Sequence, residues 1–160
     1  MKVAAVQLTS TGNVTENQEL ALAKIREAAG NGARLIVLPE ATAQNFRSGR
    51  LDEQAQTLEG PFATAIQALA EELEVTVVAG MFCPADTVER EGKTINRVTN
   101  TALIAGPGVL GGYDKIHTYD AFDYRESDTV LAGESLVAFD VDDLIVGVAC
   151  LLYTSPSPRD

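Results

Sequence analysis

The stretch Ala33-Arg34-Leu35-Ile36-Val37-Leu38-Pro39-Glu40 sets the strongest limit on the fold. Leu35 to Leu38 is an unbroken apolar run, shorter than a helix needs and suited to a pleated, buried surface. It reads as a buried strand that stops at Pro39, because proline has no N–H to give to a central ladder. A single acid, Glu40, follows directly at the carboxyl end of that strand.

The flanking sequence supplies the layers that such a strand needs. Residues 2–8 (KVAAVQL) form another short, Val-rich run, and Thr15-x-x-Gln18 fits a capping box that opens a helix. Leu22, Ile25 and Ala29 recur at helical spacing before Gly30 and Gly32 supply a stop. Gly60-Pro61 opens a second helix with an apolar stripe of Phe62, Ile66, Leu69 and Leu73. Residues 75–82 form the next strand, and the polar stretch 84–97 reads as a loop or hairpin tip. Two strands flank Gly106-Pro107-Gly108 as a tight hairpin.

Residues 118–135, rich in Asp, Glu and Tyr, read as an irregular surface loop. Residues 135–141 and 144–150 then pair across an acidic turn from Asp140 to Asp143. The order β-α-β-α-β followed by four strands predicts a layered α/β domain with one mixed sheet. No repeat is visible, and no linker interrupts the chain before Cys150.

Composition excludes several classes of partner. The 160 residues carry a formal net charge of −11, a field that repels phosphate backbones and anionic lipid surfaces. Nucleic acid and membrane are therefore not expected partners. The two cysteines, Cys83 and Cys150, lie far apart, and the one histidine, His117, completes no zinc site with them unless other ligands join. We expect no metal and no cofactor. The N-terminal apolar run breaks at Gln7, too short for a signal peptide, and no stretch nears the roughly 18 apolar residues of a membrane span. The expected compartment is the cytoplasm, where thiols stay reduced.

Glu40, Lys115 and Cys150 each stand at the end of an expected strand, and in open α/β sheets ligands bind in the crevice outside those ends. A carboxylate, an ammonium and a thiol meeting there suit acyl transfer. Glu40 would take the proton of the Cys150 thiol, and Lys115 with a backbone N–H would stabilise the charge formed when sulfur attacks a carbonyl or nitrile carbon. Read singly, each has a plainer meaning. Cys150 is a small core residue, Glu40 a solvated strand-end acid and Lys115 a surface cation. His117 reads as a local hydrogen-bonding residue and Cys83 as core. The glycine-rich segment 106–112 lacks phosphate-loop spacing, and Asp86/Glu89 and Asp140/Asp142/Asp143 read as solvated turns.

Taken together, KVAAVQL, ARLIVLPE, TNTALIAGPGVLGGYDKIH, YRESDTVLAGES and VGVAC resemble the nitrilase, or carbon–nitrogen hydrolase, superfamily in order and over residues 2–150. The resemblance implies a Glu-Lys-Cys triad on Glu40, Lys115 and Cys150 as base, oxyanion stabiliser and nucleophile. It places a further glutamate, which orients substrate or water near the lysine, on Glu126, whose plainer reading is a loop acid paired with Arg125. It also implies a four-layer α-β-β-α sandwich, homo-oligomeric assembly, no cofactor or metal, and hydrolysis of a small-molecule amide. KIH and YRES look most like the small-amidase branch, including ω-amidase-like enzymes. Nitrilase or carbamoyl-amide hydrolysis is the neighbouring alternative, and a non-catalytic binding or scaffold domain is the alternative of another class.

The resemblance stops at Cys150. Family members continue with an aromatic residue, Asp and a helix-forming stretch, whereas LLYTSPSPRD contains two Ser-Pro steps that oppose a helix. Residues 1–150 are thus expected to be an incomplete carbon–nitrogen hydrolase domain, and 151–160 an artefactual tail. The chain by itself is expected to aggregate or be inactive, and its full-length parent to be the amidase.

Overall fold

The computed structural model describes residues 1–121 and 124–150. The expectations for 151–160 lie outside the described residues. The elements run β1 (Val3–Ala5), α1 (Val14–Gly30), β2 (Leu35–Val37), α2 (Pro61–Glu72), β3 (Thr76–Arg90), β4 (Lys93–Gly106) and β5 (Val109–Asp114). Short pieces follow: β6 (Asp120–Ala121), β7 (Tyr124–Arg125), a 3-10 turn (Glu126–Asp128) and β8 (Val130–Leu131). A hairpin of β9 (Val137–Val141) and β10 (Leu144–Val148) ends the described chain.

The main sheet has the order β1-β2-β3-β4-β5, with β8 also pairing with β4. β1, β2 and β3 are parallel, whereas β3-β4 and β4-β5 are antiparallel hairpins. Successive residues on a strand face opposite ways, and here the two faces have different partners. Ile36, Val77, Ala79, Leu103 and Ala105 pack with Ile25, Phe62 and Ile66 of the two helices. Their neighbours Leu35 and Ile104 pack instead with Phe139 and Val141 of β9. The result is a helix layer, a sheet and the start of a second sheet, in the order of the expected sandwich. Fully burying one side chain of the Phe62 or Ile66 kind contributes about 1.5–3 kcal/mol.

The expected single mixed sheet is therefore corrected: β9 and β10 pair only with each other among the described residues. Two apolar runs across an acidic turn showed that they were paired strands, but such runs do not say whether a buried face meets a helix or another sheet. Of the two readings of residues 84–97, the hairpin tip is the one that forms: most of the segment is paired strand, and the chain turns at Glu91-Gly92. This arm is polar because much of it is exposed, and side chains such as Arg97 and Asp86 (Nε–Oδ1 2.7 Å) link across it.

Helix α1 starts earlier than the capping box implied. Asn13 caps it, with Oδ1 accepting from Thr15 N at 2.9 Å and Glu16 N at 3.3 Å. Its buried stripe is Val14, Asn17, Ala21, Ile25 and Ala28, while Leu22 and Ala29 pack at the margin. Asn17 belongs to that stripe because it bonds a loop: its Nδ2 donates to Ala43 O at 2.8 Å. Helix α2 begins at Pro61 after Gly60 as expected. The segment 118–135 is not simply a surface loop, since Glu126 and Val130 are buried. No helix among the described residues is long and apolar enough to cross a membrane.

Candidate active site

Glu40 is placed by the turn that ends β2. Gly80 N donates to Pro39 O at 3.2 Å, Ala43 N donates to Gly80 O at 2.9 Å, and Ala41 takes a φ of 57°. A left-handed alanine is strained and persists only where its surroundings impose it. β3 imposes it through Gly80, where an added Cβ would lie 2.4 Å from Ala41 N. Only glycine lets the turn approach that closely, so Gly80 helps to aim Glu40.

Lys115 directly follows β5. Its N donates to Asn100 O at 2.8 Å, and its own carbonyl accepts from Gly133 N at 2.9 Å. A Cβ on Gly133 would lie 2.2 Å from Asp114 O, so this second glycine is also needed for close approach. The backbone is thus fixed on two sides before the side chain begins. Lys115 is only 3% exposed, and its Nζ lies 3.0 Å from Glu40 Oε1 and 3.1 and 2.9 Å from the two oxygens of Glu126.

Glu126 opens the 3-10 turn and is 2% exposed. Beyond Lys115, its Oε2 accepts from Tyr119 N at 2.7 Å and its Oε1 from Asn100 Nδ2 at 3.2 Å. The pairing with Arg125 does not form; the Arg125 guanidinium lies 3.7 Å from Asp128. A buried carboxylate needs opposite charge and donors on its oxygens, and the neighbouring arginine, exposed and turned toward Asp128, does not bring its guanidinium there.

The electrostatics follow from this packing. Burial alone would favour a neutral Lys115 amine, but hydrogen bonds to Glu126 and Glu40 and their charges outweigh it, holding the group above the ordinary lysine range. Lys115 is an ammonium at neutral pH. Its three short contacts with carboxylate oxygens suit the three donors of that group.

Cys150 lies two residues beyond β10 and is partly buried. It lines the same cavity of about 360 Å³ as Glu40 and Asn100, between the end of β2 and the β9–β10 hairpin. Much of the remaining wall is apolar, including Val78, Tyr113, Phe139 and Val148. Lys115 and Glu126 sit behind Glu40 and Asn100, outside that wall. The structure thus gathers Glu40, Lys115 and Glu126 by direct contact and brings Cys150 to the same hollow.

The other singled-out residues lie elsewhere. Cys83 packs against the helix-side core, and burial pushes its thiol up, as befits an inert structural cysteine. His117 is exposed. The acidic turns are engaged rather than simply solvated: Asp86 pairs with Arg97, and Asp142 Oδ1 lies 3.1 Å from Arg34. Gly106-Pro107-Gly108 is the expected tight turn, with Gly108 at φ 72°.

Residues 2–152 match the carbon–nitrogen hydrolase family. The chain belongs to that family. This carbon–nitrogen hydrolase chain is 39% identical over 153 residues to Hydrolase Rv0480c of Mycobacterium tuberculosis, covering 92% of this chain and 51% of that protein. It is 36% identical over 137 residues to a deaminated glutathione amidase of Synechocystis, covering 82% and 49% respectively. Among solved structures it resembles XC1258 of Xanthomonas campestris, a CN-hydrolase superfamily protein, with a TM-score of 0.73 and 23% identity over 91% of this chain and 51% of that one. The carbon–nitrogen hydrolase chain spans about half the length of the relatives it matches.

Sequence reasoning missed Asn100, Gly80 and Gly133. Asn100 had a visible signal, because an asparagine inside the apolar strand run TNTALI goes against strand preference and asks for a buried partner. Gly80 had a weaker one, a glycine interrupting the run VTVVAGMF. Gly133 had none, because its role depends on a contact with Asp114 across a loop.

Proposed function

We propose that these residues hydrolyse a small, non-peptide amide through a Cys150 thioester, in a chain carried to the full length of the relatives. The observation that carries this reading is the placement of the Glu40 carboxylate and Cys150 on one cavity, with the Lys115 ammonium 3.0 Å from Glu40 Oε1. Family membership and amidase-named relatives support it.

Glu40 accepts the thiol proton as sulfur bonds to the carbonyl carbon, and the carbonyl π electrons move to oxygen. The positive charge of Lys115, with a backbone N–H, steadies that oxyanion. When the oxyanion collapses, the C–N bond breaks, its electron pair stays on nitrogen, and Glu40 returns the proton to the leaving amine. Water then gives a proton to Glu40 and its oxygen attacks the thioester. The C–S bond breaks, and the proton passes from Glu40 to sulfur. The sum is amide plus water giving acid plus ammonia or amine, with Cys150 and Glu40 restored. Glu126 holds Lys115 in place, and no step requires a metal or cofactor.

The test is ammonia release from a panel of small amides by the full-length protein, with mass spectrometry for an acyl adduct on Cys150. Cys150→Ala should abolish both while leaving the fold intact. Clean folding with no turnover and no adduct on amides, nitriles or carbamoyl compounds would instead support a binding or scaffold role. The 160-residue chain is proposed to be inactive alone, and the full-length protein to be a cytoplasmic homo-oligomer. Assay of the short chain, light scattering and cell fractionation check those points.

A further inference from the structure

We propose that Asn100 is a positioning residue that selects which oxygen of Glu40 acts on the thiol. This inference rests on the thiol-amidase reading above and adds a residue outside the expected Glu-Lys-Cys set.

Asn100 occupies the middle of β4, opposite Phe82 of β3, and is 3% exposed. Its backbone carbonyl accepts from Lys115 N at 2.8 Å. Its side-chain Nδ2 donates to Glu40 Oε1 at 2.7 Å and to Glu126 Oε1 at 3.2 Å. One residue therefore fixes the backbone of the ammonium and touches both carboxylates that flank it. A strand interior is a rigid mount, and a two-torsion amide adds little freedom of its own.

The consequence falls on Glu40. Its Oε1 accepts from two donors, Asn100 Nδ2 and Lys115 Nζ. Two donors occupy the two lone-pair directions of a carboxylate oxygen, which turns Oε1 into an anchor. The Glu40 side chain is 39% exposed although Lys115 is 3% exposed, so the anchored end faces the buried cluster and the other side of the carboxylate faces the cavity. Oε2 is then the oxygen that takes and returns the thiol proton. Without the amide, Lys115 alone holds Oε1, and the carboxylate can rotate about its last torsion.

Orientation of a base matters at this scale, since a displacement of about 1 Å can cost about 100-fold in rate. The ionisable groups facing this centre are Glu40, Lys115, Glu126 and Cys150, with the Tyr113 phenol on the cavity wall. Asn100→Leu keeps size and removes the donor; Asn100→Asp keeps shape and puts a third carboxylate against two others.

The experiment compares wild type, Asn100→Leu and Asn100→Asp in the full-length protein. It reads kcat and KM on a hydrolysed amide and, separately, the pH dependence of iodoacetamide alkylation at Cys150, with Cys83 as internal control. The expected result is a kcat loss of about 100-fold for Asn100→Leu with KM within about 3-fold, and a larger loss for Asn100→Asp. Alkylation of Cys150 at neutral pH should slow by about 10-fold in Asn100→Leu, with the curve displaced to higher pH and Cys83 unaffected. Equal kcat and equal Cys150 alkylation in wild type and Asn100→Leu would overturn the inference. So would losses confined to KM or to the melting temperature, which indicate a packing role. If wild type turns over no amide but Cys150 alkylation still depends on Asn100, the amidase reading fails and the positioning role stands.

Discussion

The two sides of the cavity are made in opposite ways. Glu40, Asn100, Lys115 and Glu126 form a knot in which three of the four residues are almost fully buried and donors and acceptors match between the middle of β4 and the chain just beyond β2, β5 and β7. Cys150 hangs from the β9–β10 hairpin, where Ile145 is 80% and Leu144 51% exposed and only alternate residues touch the main sheet. The base side is completed by the main sheet and its loops; the thiol side rests on two strands. Acid–base geometry and nucleophile placement are therefore separable properties of this fold, and perturbing one should leave the other measurable.

The most severe way to break this contrast is Lys115→Met, which leaves two carboxylates facing each other without their cation. Removing one partner of a buried ion pair typically costs about 3–5 kcal/mol, so urea unfolding should show the largest midpoint loss of any single change at the site. A midpoint close to wild type would mean that the knot is not structural. Gly80→Ala comes next. Its new methyl would meet Ala41 N at 2.4 Å, and overpacking of this kind costs about 1–3 kcal/mol. Turnover should fall further than stability, because the strain lands on the Glu40 turn.

A pH series sharpens the same point more gently. Lys115 is held above the ordinary lysine value of 10.5, so the folded state holds its proton more tightly than the unfolded state. The stability it contributes is fully present below the unfolded value and is lost as pH rises through the higher folded one. Wild type should lose stability in that alkaline window relative to Lys115→Met, and the difference between them should be flat at neutral pH. The smallest effect belongs to the other side. In the 160-residue chain, Ile145→Ser on the exposed face of β10 should change the unfolding free energy by no more than about 0.5 kcal/mol, and a larger loss would show that the hairpin carries more of the fold than its exposure suggests.

Much of this architecture could be read from local pattern. Apolar runs, Gly-Pro punctuation and helical spacing located the first strands, both helices and both later hairpins. Strand ends marked Glu40, Lys115 and Cys150. What escaped was long-range. The polar arm of β3 and β4 could be read as a loop or as a hairpin tip because its residues are chosen for water, while the backbone pairing that decides for the hairpin is not recorded in sequence pattern. Local pattern alone offered Glu126 only its neighbour Arg125; the lysine, which the family resemblance implied, is Lys115, 11 positions away in sequence. Asn100 showed itself only as an ill-suited strand residue, and its meaning depends on two acids 60 and 26 positions distant.

Strand β4 carries a further consequence. It begins at Lys93 beside the exposed Glu91-Gly92 turn and ends among Leu103 and Ala105, which are fully buried. A single continuous ladder thus samples nearly the whole range of solvent access in the molecule. Amide hydrogen exchange along it should form a graded scale, fast at the tip and slow past Asn100. Because every amide on that scale belongs to one strand, paired with β3 along nearly its whole length and joined by β5 only past Asn100, it offers an internal ruler for local opening near the site, calibrated within the same peptide.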